Sequence, residues 1–250
     1  MTTTFSNHFG SVASTYAAAR PTYPAELFEW LAKQCVRHDH AWDCATGSGQ
    51  AATGLADHFA RVTATDASAE QIAAAHACER VDFGVASAEA SGLDSHSIDL
   101  VTIAQALHWF DLNRFYDEVR RVVKPGGVIA AWTYGVQQID DAAINAIVRS
   151  FYAETLGSYW PAERTIVERG YRDLQFPFAQ IAPPSFVMVQ HWTLDQLLAY
   201  FSSWSAVARY RTQRGEDPIA SLRPALATAW GDPAATHTIT WPLTVLAGRV

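Results

Sequence analysis

The chain reads as a single α/β domain built on a mostly parallel sheet, and three observations carry that reading. Short apolar runs alternate with amphipathic helical patterns from His40 to Trp132. A turn of small residues follows the first run and opens a helix, and a carboxylate, Asp66, closes the second run. Alternation of this kind places successive strands side by side in one sheet, with helices making the crossovers. At 250 residues with 49% hydrophobic content the chain can bury a full core, and it fits one large domain with an insertion better than two independent ones.

The elements follow in order. Pro24 to Ala32 predicts a helix with proline in its first turn and Leu27, Phe28 and Leu31 on one face. The first strand is His40 to Cys44; a helix from Gln50 to Phe59 leads to the second, Arg61 to Thr65, which ends at Asp66. Ser68-Ala69-Glu70-Gln71 supplies a capping box for the next helix. Val81 to Ala86 is a third strand, and Ile98 to Ala104 a fourth whose continuous apolar run suits a buried parallel position. Asp111 caps a helix that runs through Val122, and Pro125-Gly126-Gly127 turns the chain into a fifth strand, Val128 to Trp132. From Gln138 to Tyr200 the pattern is mainly helical and rich in aromatics, among them Phe151, Tyr152, Tyr159, Trp160 and Tyr171. Its first part is expected to form a lid inserted before a sixth strand, Ser185 to Trp192. Thr193 to Gln196 opens another capped helix, and Thr238 to Leu246 is strand-like, with Pro242 suited to an edge or bulge.

Composition narrows the function. A net charge of −7 disfavours a nucleic-acid or anionic-membrane surface, because such surfaces need a basic stripe to displace counterions. Cys35, Cys44 and Cys78 form no C-x-x-C pair, so neither a disulfide framework nor a zinc site is expected, and no metal is assigned. The N-terminus lacks a basic segment followed by a long apolar core, and no stretch approaches the length of a membrane span. The expectation is a soluble cytoplasmic protein with a small-molecule substrate; the sequence does not specify an oligomeric state.

The turn Asp43-Cys44-Ala45-Thr46-Gly47-Ser48-Gly49-Gln50 carries the chemistry. Small residues let a backbone approach a ligand closely, and the carboxylate of Asp66 can hold two ribose hydroxyls. Two cofactors use such a turn. Gly47-Ser48-Gly49-Gln50-Ala51-Ala52 satisfies the G-x-G-x-x-A form of nicotinamide enzymes, whereas Asp43 points to the D-x-G-x-G-x-G turn of S-adenosylmethionine (SAM) methyltransferases. An NAD-dependent oxidoreductase would need a Tyr-x-x-x-Lys or a separate catalytic half, and Lys33 and Lys124, the two lysines, are not placed for it.

Together with Val123-Lys124-Pro125-Gly126-Gly127 before the fifth strand, these features resemble the class I SAM-dependent methyltransferases along most of the chain. Asn7-His8-Phe9, Tyr16, Arg20-Pro21-Thr22-Tyr23-Pro24 and Ala104-Gln105-Ala106-Leu107-His108-Trp109-Phe110 look like the methyltransferase type 11 group that includes trans-aconitate methyltransferase-like enzymes. The resemblance implies a Rossmann-like, seven-stranded, mostly parallel sheet with an antiparallel last strand, helices on both faces and a helical lid between strands five and six. It also implies an organisation: residues 1–36 a helical cap, 37–135 the cofactor-binding core, 136–184 the lid, and 185–250 the completion of the sheet. For SAM it implies that Asp43 orients the turn and reaches the methionine amino group directly or through water, and that Ala45, Thr46, Gly47 and Gly49 shape the turn. Asp66 would bind the ribose, Ser87, Ala88 and Glu89 would flank the adenine, Gln105 would lie near the methionine end, and Tyr16 and Arg20 would close over the cofactor. Ala45 stands where the family usually has glycine, and a SAM-binding protein without turnover is the alternative that this departure admits.

Methyl transfer needs a nucleophile aligned with the S–C bond and water excluded. A carboxylate is ionised at neutral pH and needs no base, whereas a phenol, hydroxyl or amine benefits from one. His108 and Trp109 follow the fourth strand, where ligands of open α/β sheets bind. His108 is either a base or a neutral donor orienting a substrate carboxylate with Trp109 N–H as a second donor; the plain alternative is that both only pack. The expected reaction is methylation of a small organic molecule, with a carboxylate oxygen the preferred acceptor.

Overall fold

The structure is a computed structural model that describes residues 21–250. Tyr16 and Arg20, with the Asn7-His8-Phe9 segment, lie outside the described residues. The chain divides into two compact units. A sheet unit comprises Thr22–Gly135, Thr165–Val187 and Pro242–Val250; the described part of a helical unit comprises Pro21, Val136–Arg164 and Met188–Trp241.

In the sheet unit, α1 (Ala25–Gln34) precedes β1 (His40–Cys44), α2 (Gln50–Ala56), β2 (Arg61–Asp66), α3 (Ala69–Ala74), β3 (Val81–Val85) and β4 (Ile98–Ala104). A 3-10 turn (Leu107–Trp109), α4 (Leu112–Val122) and β5 (Val123–Tyr134) complete the alternation. The first five strands pair in parallel in the order β3-β2-β1-β4-β5. The last strand, β9 (His237–Arg249), runs antiparallel to β5 along Leu243–Arg249. Apolar residues on the two sides of these strands feed separate cores. One holds Ala41, Val62, Leu100 and Ala130 with Leu27 and Leu31 of α1 and Leu55 of α2. The other holds Trp42, Val101, Ile103 and Ile129 with Phe115, Val119 and Val122 of α4. Helices therefore cover both faces, which is why the strands are apolar at consecutive positions and do not alternate.

The seven strands expected from sequence are present, joined by two strands of two residues each, β6 (Gln138–Ile139) and β7 (Ala179–Gln180). Two residues are too few to show a period, so neither could be seen in the pattern. β8 (Phe186–Trp192) pairs with β9. Within β9 the partner changes around Pro242: Ile239 and Thr240 pair with β6, and Leu243 onward pairs with β5. The proline, which has no N–H to donate, stands at the gap between the two ladders.

The helical unit contains α5 (Ala142–Ser150), a π-helical turn at Phe151–Thr155, and α7 (Leu194–Ser202), α8 (Ser205–Arg214) and α9 (Pro218–Trp230); the short α6 (Arg164–Glu168) begins at its last residue. Thr193 and Gln196 close the reciprocal capping box that the sequence predicts for α7. The box expected at Ser68 is only half made. Ser68 Oγ accepts from Gln71 N–H, but the Ser68 N–H goes to the Asp66 carboxylate at 2.9 Å. The aromatics expected to line a lid largely pack the unit's own interior: Phe151 and Tyr159 are buried, and Phe151, Tyr152 and Trp160 surround Trp204.

Candidate active site

Parallel strands in near register all end on one side, and that side gathers the predicted residues. Cys44 of β1 lies beside Thr65 of β2 and Ile103 of β4, and Asp66 lies beside Val85 of β3. The turn after β1, Asp66, the Ser87–Glu89 loop and the Gln105–Trp109 segment thus leave the sheet as neighbours. This juxtaposition comes from strand order, not from closeness in sequence.

The turn is held from below by Asp43. Its carboxylate is fully buried, and its oxygens accept the hydroxyls of Thr46 at 2.5 Å and Thr102 at 2.7 Å. Burial pushes its pKa up to about 6 from an ordinary 3.8, although both threonine bonds pull it down. Asp43 therefore anchors the turn from inside the sheet.

Backbone conformation explains the rest of the turn. Ala45, Gly47 and Gly49 have φ of 54°, 57° and 90°, all in the left-handed region. At Gly49 a Cβ would fall 2.7 Å from the Phe83 ring, so only glycine fits. At Gly47 a Cβ would meet nothing closer than 3.9 Å, which leaves the peptide open to a ligand from that side. Gly47 N–H donates to Asp66 Oδ2 at 2.9 Å and Ser68 N–H to Asp66 Oδ1 at 2.9 Å. Each oxygen of this half-buried carboxylate retains acceptor capacity, as two ribose hydroxyls require. The open peptide and the fixed carboxylate fit a nucleoside-bearing cofactor.

Beyond β3, Ser87 is exposed, Ala88 is buried, and Glu89 accepts the backbone N–H of Asp111 at 3.1 Å, tying this loop to the start of α4. Beyond β4, Gln105 takes a φ of 58° and is pinned three ways. Its N–H donates to Trp132 O at 2.9 Å, its Nε2 to Tyr134 O at 3.1 Å, and its Oε1 accepts from Thr133 Oγ1 at 2.6 Å. A left-handed glutamine so fastened is backbone strain held at the sheet's ligand-binding edge. His108 follows on the 3-10 turn, half-buried, with Nδ1 3.1 Å from the Tyr171 hydroxyl, and Trp109 is 42% exposed.

Two of these contacts were missed from sequence. The run read as continuously apolar in β4 in fact contains Thr102, and a buried hydroxyl in such a strand signals a buried partner; Tyr171, 63 residues from His108, left no local signal. The cysteines take no part: all three are free thiols, and burial raises the pKa of Cys44 and pushes that of Cys35 up to about 12. Among the described residues no group of three or more His, Cys, Asp or Glu could hold a metal, and no helix is long and apolar enough to cross a membrane.

Comparison with known proteins agrees with this geometry. Residues 42–131, from β1 into β5, match the family model described as a methyltransferase domain. A Dictyostelium discoideum protein named for a methyltransferase is 33% identical over 233 residues, covering 91% of this chain and 88% of its own. A solved structure from Anaeromyxobacter dehalogenans, named as a type II methyltransferase, is 45% identical with a TM-score of 0.86, covering 92% of this chain and 97% of that one. A protein of Anabaena variabilis, at 15% identity and a TM-score of 0.54 over 89% of this chain and 98% of that one, shares the fold alone. The chain belongs to the methyltransferase-domain family and is a class I SAM-dependent methyltransferase. Its cofactor is SAM.

Proposed function

We propose that the enzyme methylates a small organic molecule and that the preferred acceptor is a carboxylate oxygen. SAM supplies an electrophilic methyl group on a sulfonium, so the protein's task is alignment and exclusion of water. The observation that carries the reading is the position of His108 and Trp109 on the 3-10 turn directly after β4, the strand paired with β1 and its cofactor turn. An imidazole and an indole N–H there can orient an anionic oxygen without removing a proton from it.

In this reading Asp66 holds the ribose, and Ala45, Thr46, Gly47 and Gly49 form the floor of the cofactor site, with Asp43 fixing them from below. Ser87, Ala88 and Glu89 flank the adenine, and Gln105 stands at the methionine end. The assigned closing residues, Tyr16 and Arg20, fall in the segment outside the described residues. The proposal extends to residues 136–184 as a lid insertion between the fifth strand and β8.

Methyl-labelled SAM offered with dicarboxylates, fatty acids, phenols and amines, followed by mass identification of the product, tests the reading directly. Label in a carboxylate ester is the expected result, and label confined to a phenol or amine overturns it. With a carboxylate substrate, His108→Gln should retain appreciable activity with little change in the pH profile near neutrality. A titrating limb in the parent that the variant loses would instead identify His108 as a base.

A further inference from the structure

The Tyr171 hydroxyl lies 3.1 Å from His108 Nδ1, and the two rings are tilted 41° with centroids 5.9 Å apart. What brings Tyr171 there is an unusual piece of backbone. Gly170 and Tyr171 are consecutive left-handed residues, with φ of 63° and 60°. A Cβ on Gly170 would fall 2.9 Å from Thr244 Oγ1, so the first position admits no side chain. The second position is a bulky aromatic in a region such residues rarely enter. Tyr171 N–H donates to Ile166 O at 3.1 Å, Leu174 N–H donates to Tyr171 O at 3.1 Å, and the ring is 1% exposed in the core that also contains Leu107 and Phe115. A strained residue is retained where its surroundings over-determine it, and the polar end of this one is set on the predicted site histidine.

We propose that Tyr171 is a positioning residue: its hydroxyl donates to His108 Nδ1, keeps the ring proton on Nε2, and thereby makes Nε2–H a donor toward an anionic substrate oxygen. Direction follows from the two groups. A phenol O–H is a better donor than a neutral imidazole N–H, and an imidazole nitrogen is a better acceptor than a phenol oxygen, so the tyrosine-to-histidine sense is the stronger bond. With Nδ1 accepting, the neutral ring carries its hydrogen on Nε2, and that nitrogen cannot serve as a base. The inference rests on the carboxylate reading for what Nε2–H faces, but the tautomer itself belongs to the protein alone.

The test is the ring 15N spectrum of protein labelled at histidine, with His108 assigned by the signal that His108→Gln removes. The expected result is an unprotonated Nδ1 and a protonated Nε2 in the neutral ring. Tyr171→Phe keeps the ring in the core and deletes the hydroxyl, and should move His108 toward a mixture of tautomers. With the substrate found by the labelled panel, the same variant should raise KM about tenfold while leaving kcat within about twofold, as loss of an orienting bond predicts. A protonated Nδ1 in the parent protein, or an unchanged tautomer ratio in folded Tyr171→Phe, overturns the proposal. Should the variant fail to fold, the parent spectrum alone decides. A phenol or amine product from the panel would refute the substrate reading and leave the tautomer result standing, so the two failures are distinguishable.

Discussion

Ala45 stands where the resemblance to class I methyltransferases implies glycine, and the structure gives the consequence: a side chain is held at a φ of 54°. A left-handed alanine costs about 1–2 kcal/mol, partly offset because alanine also restricts the unfolded chain. Ala45→Gly is expected to raise stability by about 0.5–1 kcal/mol, read as an increased urea midpoint at constant slope; a lowered midpoint would show that Ala45 is not strained. The Asp66 carboxylate fixes Gly47 and Ser68 N–H, and in the proposed reading its remaining acceptor capacity holds the ribose. Asp66→Ala should weaken SAM binding at least about tenfold in a calorimetric titration, because a charged two-point hydrogen bond and the turn's support go together. Unchanged affinity would remove Asp66 from the site. The glycines were legible in the sequence because residue type encodes their backbone. At Ala45 the left-handed state was signalled only by the glycine that the family resemblance leads one to expect there, and at Gln105 by nothing, because its neighbours impose the conformation.

Strand pairing has its own fastening at the edge away from the site. Asp99, buried at the start of β4, accepts the backbone N–H groups of Asp39 and His40 at 2.9 Å each and binds Lys124 Nζ at 2.7 Å. Lys124 also reaches Asp39 at 3.0 Å, so one ammonium joins the entries to β1, β4 and β5. Burial lowers the lysine pKa, but the two carboxylates more than reverse this, and the net shift is upward. Lys124→Met should cost about 1–3 kcal/mol, since a buried carboxylate then keeps only its N–H partners. A urea midpoint equal to the parent's would show that the cluster is ornamental. Sequence reading placed Lys124 before a fifth strand starting at Val128, whereas β5 begins at Val123 and includes it, and it assigned Lys124 no work because its partners lie in other elements.

Over the whole molecule, two buried carboxyls push stability in opposite directions with pH. Arg121 holds the Glu118 carboxyl down at about 2 from an ordinary 4.5, with Ser91 adding two hydrogen bonds against the opposing effect of burial. A depressed pKa means that the folded state loses protons more readily than the unfolded one. The stability Glu118 contributes is therefore complete above about 4.5 and is lost as pH falls through about 2. Asp43 has the reverse sign. Its pKa is raised from 3.8 to about 6, so stability is greatest with Asp43 protonated and declines as pH rises across that interval. Urea midpoints measured from acid to neutral pH should show a shallower acid limb in Glu118→Gln than in the parent. Superimposable acid limbs in the two proteins would refute the linkage.

The alternation of apolar strand and amphipathic helix was enough to determine the fold class; the glycines of the turn and the carboxylate after the second strand fit two cofactors, and Asp43, the Gln105–Phe110 segment and the Pro125-Gly126-Gly127 turn decided for SAM. Each is a local code, in which residue type and spacing set backbone state, burial pattern or ligand chemistry without reference to distant parts of the chain. Tertiary structure alone decided that Asp43 works from beneath the turn through Thr46 and Thr102, that Lys124 ties together the starts of three strands, and that the later aromatics largely pack their own unit. It also set Tyr171 on His108 across 63 residues. Such contacts are fixed by strand order and by conformations that packing forces on residues which would not choose them, and neither is written in any single stretch of sequence.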